Sequence, residues 1–129
     1  MNLHQSKYYL LSILLFIGCQ SSKYNWNSGN FENAKSVAGT KLILLDFYTE
    51  TWPACVQLDA DTFTDSLIIA VADQFLSVKI NVDLDASEGL EDHFNINSIP
   101  QNIFVNADGI EIDRIVGYFP ADEFGKKVN

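Results

Sequence analysis

The sequence predicts an α/β domain built on a mixed central sheet flanked by helices. Three observations carry this reading. Residues 41–48 (KLILLDFY) form an unbroken apolar run bounded by polar residues, as suits a central strand buried on both faces. Apolar residues then recur at helical spacing until a second extended stretch, Leu76 to Val82. Two short strands near the end are joined by Asn106-Ala107-Asp108-Gly109, a loop whose Asp-Gly pair signals a hairpin. Together these give parallel pairing through the crossovers and an antiparallel hairpin at the end.

The elements follow in order. A helix is expected from Phe31 to Ala38, with Asn30 or a neighbour as its cap and Phe31, Ala34, Val37 and Ala38 on one face. Gly39 stops it. After the apolar strand, Pro53 opens a helical stretch, because its missing N–H would be unpaired in a first turn anyway. Leu58, Phe63, Leu67, Ile68, Val71 and Phe75 continue at helical intervals, but Thr64-Asp65-Ser66 looks like a break and a new cap, so two helical pieces are expected. The stretch LSVKINV alternates as a strand, and Ser87 to Phe94 reads as a short helix capped by Ser87. Gln101 to Val105 and Ile110 to Val116 are the hairpin strands, and Pro120 opens a last short helix. Gly125 lies inside that helix and weakens it by about 1 kcal/mol relative to alanine.

Composition bounds the function. At 129 residues there is room for one domain, and a hydrophobic fraction of 47% supports one sizeable core. A net charge of −9 with no basic patch argues against a nucleic-acid partner. His93 stands alone on a short helix and His4 lies near the N-terminus, so a metal site has no support. No phosphate loop, Ser-His-Asp set or dinucleotide fingerprint is visible, and no cofactor is expected.

The N-terminus differs in kind. A short polar start containing His4 and Lys7 precedes an apolar run from Tyr8 to Ile17, too short to span a bilayer but suited to a secretory signal. The stretch Phe16-Ile17-Gly18-Cys19 resembles the lipobox of bacterial lipoproteins, in which the cysteine becomes lipid-modified and heads the mature chain. Residues 1–18 are thus expected to be a signal peptide of lipoprotein type. Residues 19–30, rich in Ser and Asn, would be a tether, and residues 31–129 the folded domain. An ordinary cleaved signal or an uncleaved anchor are the other readings of the same residues. With lipid on Cys19, Cys55 is left as the one thiol, unable to form an internal disulfide.

The segment Leu44-Leu45-Asp46-Phe47-Tyr48-Thr49-Glu50-Thr51-Trp52-Pro53-Ala54-Cys55 resembles the active-site strand and helix start of the thioredoxin-like family, where Trp-Cys-x-x-Cys follows such a strand. The likeness continues through Thr62-Phe63-Thr64-Asp65, Val78 to Asp83, Ile99-Pro100 and Gly117-Tyr118, in order across residues 31–124. The resemblance implies a thioredoxin-like fold, with Ile99-Pro100 at the position of the family's cis-proline and a peptide groove beside it. It further implies a periplasmic lipoprotein of thiol-disulfide redox type, acting as a monomer on a protein or peptide partner in the cell envelope.

The likeness fails at one position. Trp52 stands where the family places its first, nucleophilic cysteine, and Cys55 takes the second position. A tryptophan can neither attack a disulfide nor resolve one. Asp46 corresponds to the buried acid beside the second thiol, and Lys79 to its neighbouring lysine. The candidate catalytic residues are therefore Cys55, Asp46 and Lys79, and the candidate partner-binding residues Trp52, Pro53, Ile99 and Pro100. Two readings stay open for each. Cys55 is a monothiol or a buried remnant; Asp46 is a proton relay or an acid that reaches water or pairs with Lys79; Trp52 is a binding aromatic or a ring folded onto the domain.

Overall fold

The computed structural model of the chain describes residues 22–129. The signal peptide expected at 1–18 and the lipidation expected at Cys19 lie outside the described residues. The elements are α1 (Phe31–Val37), β1 (Leu42–Tyr48), α2 (Pro53–Gln57), α3 (Ser66–Ala72), β2 (Phe75–Asn81), α4 (Glu88–Phe94), β3 (Gln101–Val105), β4 (Glu111–Val116) and α5 (Ala121–Val128). A π-helical turn, Leu58–Thr62, continues α2, and a 3-10 turn, Asp85–Ser87, precedes α4.

The four strands form one sheet in the order β2-β1-β3-β4. β1 runs parallel to β2 and antiparallel to β3, and β3 and β4 form the antiparallel hairpin. Only the first crossover therefore gives the parallel pair expected of both. The second brings β3 to the other flank of β1, in the opposite direction. β1 is buried on both faces and pairs on both edges, as its unbroken apolar run requires.

Strand alternation divides the interior into two. Ile43, Leu45 and Phe47 of β1, with Val78, Ile80, Ile103 and Val105, pack against Phe31, Ala34 and Ala38 around α1 and Phe94 of α4. On the opposite face, Leu44, Phe104 and Ile115 lie under Leu58, Phe63, Ile68 and Phe124. Asp46 and its register partner Asn102 belong to this second face.

Caps and faces refine the sequence expectations. The Asn30 side chain accepts from the Asn33 amide, as a cap of α1 should. Val37 is exposed, because it lies six residues past Phe31 and off the stripe set by Phe31, Ala34 and Ala38. Asp65 caps α3 by accepting from the Leu67 and Ile68 amides, which turns Leu67 outward and Ile68 and Ile69 inward. Ser87 does not cap α4; its hydroxyl donates to the Leu84 carbonyl and to Glu91. β4 begins at Glu111, one residue later than expected, next to a bulge opposite Phe104 and Val105.

The segment ahead of α1, expected as a tether, is docked from Tyr24 onward. Trp26 bridges to Ser77 on the outer edge of β2, and the Asn27 amide donates to the Ser77 carbonyl at 2.8 Å. Tyr24 and Trp26 stack at 4.2 Å, and both present edges to Phe63. Two aromatic rings thus hold a stretch whose Ser and Asn content suggested freedom.

Candidate functional site

The site forms where β1 ends and α2 begins. Thr49, just past β1, accepts the Trp52 amide on its hydroxyl at 3.1 Å, fixing the turn between strand and helix. Trp52 is the residue before α2 and lacks a side-chain cap bond; its carbonyl accepts the Cys55 and Val56 amides. Its ring is 54% exposed, so the structure leaves it outward instead of folding it onto the domain. Pro53 takes the first helical position and is exposed.

Cys55 faces inward and is only 2% exposed. Burial pushes its thiol upward, partly offset by the backbone of Thr49, while the nearby Asp46 and Asp59 carboxylates push the same way as burial. Burial, the largest influence, disfavours a thiolate, the form that attacks disulfides, and the net direction is upward.

Asp46 is 1% exposed, in the middle of a strand buried on both faces. Burial lifts its carboxyl to about 6, against the pull of Lys79, whose Nζ lies 3.2 Å from Asp46 Oδ2. That contact is an ion pair by distance, but neither Asp46 oxygen has an aligned hydrogen-bond donor. The ammonium gives its hydrogen bonds to Asp59, at 2.7 and 2.9 Å to the two carboxylate oxygens. Burial alone would lower the Lys79 ammonium; the two carboxylates hold it above its ordinary range.

Aromatic rings complete the setting of Lys79. Its Nζ lies 3.9 Å from the Tyr48 ring centroid and 5.0 Å from that of Trp26. Tyr24, Trp26, Asp59, Phe63 and Lys79 line an open cavity of about 520 Å³. The sequence pairs Asp46 with Lys79 correctly but misses Asp59, Trp26 and Asn102. Asp59 is four residues past Cys55 and so on the same side of the helical stretch, the one signal that could have found it. Trp26 comes to Lys79 only because the N-terminal segment docks.

The second half of the predicted site lies at the start of β3. The Ile99-Pro100 peptide is cis. Pro100 is buried and its carbonyl accepts from the Gly117 amide, so the proline shapes the backbone without offering a side-chain surface. Ile99 is half-buried and packs on the apolar core. Among the described residues, no backbone hydrogen bond engages its amide or carbonyl. No group of three or more His, Cys, Asp or Glu suited to a metal occurs among the described residues.

Comparisons with known proteins agree with this geometry. A family model described as a thioredoxin-like domain matches residues 31–129. The chain is similar to the thiol:disulfide interchange protein DsbD of Tatumella citrea, at 32% identity over 93 residues, covering 69% of this chain and 16% of that protein. It is likewise 33% identical over 103 residues to the DsbD protein of Campylobacter jejuni (strain RM1221), covering 77% of this chain and 18% of that one. The chain therefore spans less than a fifth of the length of these relatives. Among solved structures, it is similar to a putative disulphide-isomerase from Bacteroides thetaiotaomicron with a TM-score of 0.70 and 28% identity, covering 84% of this chain and 93% of that one. Sheet order, the cis bond at Pro100 and the family match concur: the chain belongs to the thioredoxin-like family.

Proposed function

We propose that this is an envelope-anchored thioredoxin-family protein, descended from thiol-disulfide oxidoreductases, that no longer performs dithiol exchange. The reading is supported by Trp52, which is exposed and aligns with the family's nucleophile position, and by the thiol three residues on, which is buried and pushed up by that burial. Attack on a disulfide needs an accessible thiolate, and resolution needs a second thiol within reach. Trp52 and Cys55 together meet neither need. Similarity to proteins named for thiol-disulfide interchange supports the descent. The lipobox-like Phe16-Ile17-Gly18-Cys19 supports anchoring, with Cys19 as the lipid-bearing residue of a periplasmic lipoprotein.

A second reading is that the protein is a redox-silent binding module, and the face around Trp52, Pro53, Ile99 and Pro100 favours it. An exposed aromatic ring stands beside a helix start, and the backbone of Ile99 has no partner among the described residues, which suits pairing with an extended peptide. The occupant would be a protein or peptide segment in the envelope, bound by a monomer.

The test is the alkylation of Cys55 across pH in the full chain, with and without denaturant. We expect reaction only after unfolding. Rapid modification of the folded protein at neutral pH would return Cys55 to the active residues. Loss of lipid labelling in Cys19→Ala checks the anchor separately; unchanged labelling would end the lipoprotein reading.

A further inference from the structure

Two buried polar side chains lack hydrogen-bond partners of good geometry among the described residues, and they are neighbours. Asp46 on β1 and Asn102 on β3 are register partners in the antiparallel ladder, so both side chains rise from the same face of the sheet. Asn102 is 0% exposed, and neither its amide nitrogen nor its oxygen has a hydrogen-bond partner; the same holds for both oxygens of Asp46. Directly opposed residues in such a ladder have Cβ atoms about 5 Å apart, so a rotation of either side-chain end brings carboxyl and carboxamide into hydrogen-bonding range. Unpartnered buried groups are rare enough in folded proteins that two side by side call for an explanation.

We propose that Asn102 is the positioning residue for the Asp46 proton, its carboxamide turning to serve both charge states of the acid. When Asp46 is neutral, its O–H donates to Asn102 Oδ1. When the proton leaves to water, the amide turns and Nδ2–H donates to the carboxylate. A carboxamide is suited to this because it carries a donor and an acceptor on one rotatable group, where a leucine would serve neither state.

Asp59 makes the arrangement necessary. Lys79 is the one cation beside Asp46 among the described residues, and two of its hydrogen bonds go to Asp59. Two of the three N–H groups of the ammonium serve Asp59, so Lys79 offers the buried acid at most one, and the remaining carboxyl oxygen needs a donor elsewhere. The other titratable groups around Asp46 are Cys55 from α2, Tyr48 from β1 itself and Tyr24 from the docked N-terminal segment. Tyr24 shares its hydroxyl with Ser77, and the Cys55 S–H is only a weak donor, so neither replaces Asn102. The inference does not depend on whether Cys55 reacts.

The experiment follows the Asp46 carboxyl by carbon-13 NMR in the full chain between pH 3 and 9, the resonance assigned by its loss in Asp46→Asn. The natural chain should titrate near 6, as burial dictates. Asn102→Val and Asn102→Thr have the same shape and differ in one hydroxyl. Hydrogen bonds to a charged acceptor are about twice as strong as neutral ones, so losing the donor penalises the carboxylate more than the acid. Asn102→Val should therefore raise the midpoint by about one pH unit, a tenfold change in proton affinity, and Asn102→Thr by less than half of that. Equal midpoints for the two variants would show that packing alone acts, and would overturn the proposal. So would an Asp46 that titrates with exposed aspartates near 4 in the natural chain. If Asn102→Val does not fold, Asn102→Ala and Asn102→Ser make the same comparison.

Discussion

The two faces of the sheet are made by the same strands but are built differently. One is mostly hydrocarbon: Ile43, Leu45 and Phe47 meet Phe31, Ala34 and Phe94, and its buried Gln101, opposite Phe47, is fully engaged, its amide donating to Ser98 and its carbonyl accepting from Arg114. The other begins the same way, with Leu44 and Phe104 under Leu58 and Phe63, and then changes character at Asp46 and Asn102. One residue of register separates Phe47 from Asp46, yet one contributes burial free energy and the other costs it. Burial of hydrocarbon on the first face does not depend on a proton. The second carries a destabilising polar centre, the kind of local conflict that folded proteins keep at functional sites.

The largest expected effect tests the apolar face. Phe47→Ala removes a fully buried ring and should cost about 3–5 kcal/mol of stability in chemical denaturation. The Phe47 ring meets Phe94 and aliphatic side chains, none of which titrates, so the loss should be the same at pH 5 and pH 8. A loss that varies with pH would mean the two faces are not independent.

Asp46→Asn tests the polar face and should act in the opposite direction. The native carboxyl titrates near 6, above the value of about 3.9 in an unfolded chain, so folding favours the protonated form. The contribution of this group is fully present below about pH 4 and is lost as pH rises through 6. The asparagine variant has nothing to lose. It should match the natural protein at pH 4 and exceed it by about 3 kcal/mol at pH 8. A difference that does not change with pH would refute the account of Asp46.

A smaller effect bears on how the polar face is closed. Thr62, buried at the end of the π-helical turn, donates its hydroxyl to the Phe119 carbonyl at 2.6 Å and ties that turn to the approach to α5. Thr62→Val should cost about 1 kcal/mol by leaving that carbonyl unpaired. Activity at the site can be read separately by restoring a dithiol: Trp52→Cys should give measurable insulin reduction where the natural chain gives none. A folded, inactive double-cysteine protein would show that Trp52 does not occupy the nucleophile's position.

Much of this was legible in the residues. The unbroken apolar run of β1, the alternation of β2 and the Asp-Gly hairpin locate the sheet, because period and turn chemistry are local. Asp46, Lys79 and Cys55 were found together through the thioredoxin-like pattern. Other features had only long-range causes. Val37 and Leu67 are apolar and sit in helices, yet face water, since the angle at which each helix meets the sheet selects the stripe that is buried. Asn102 read as an ordinary strand residue until its register placed it opposite Asp46.

By itself the sequence determined the order of the elements, the single cysteine in the segment that resembles the active site, and the presence of an acid inside the central strand. These follow from patterns a few residues long. Tertiary structure alone decided which strands flank β1, that Tyr24 and Trp26 dock on the edge of β2, and that Lys79 gives its hydrogen bonds to Asp59 while standing beside Asp46. The physical reason is that an ammonium placed among two carboxylates and two rings follows geometry in three dimensions. Strand register and segment docking set that geometry, and neither is written in the spacing of the residues involved.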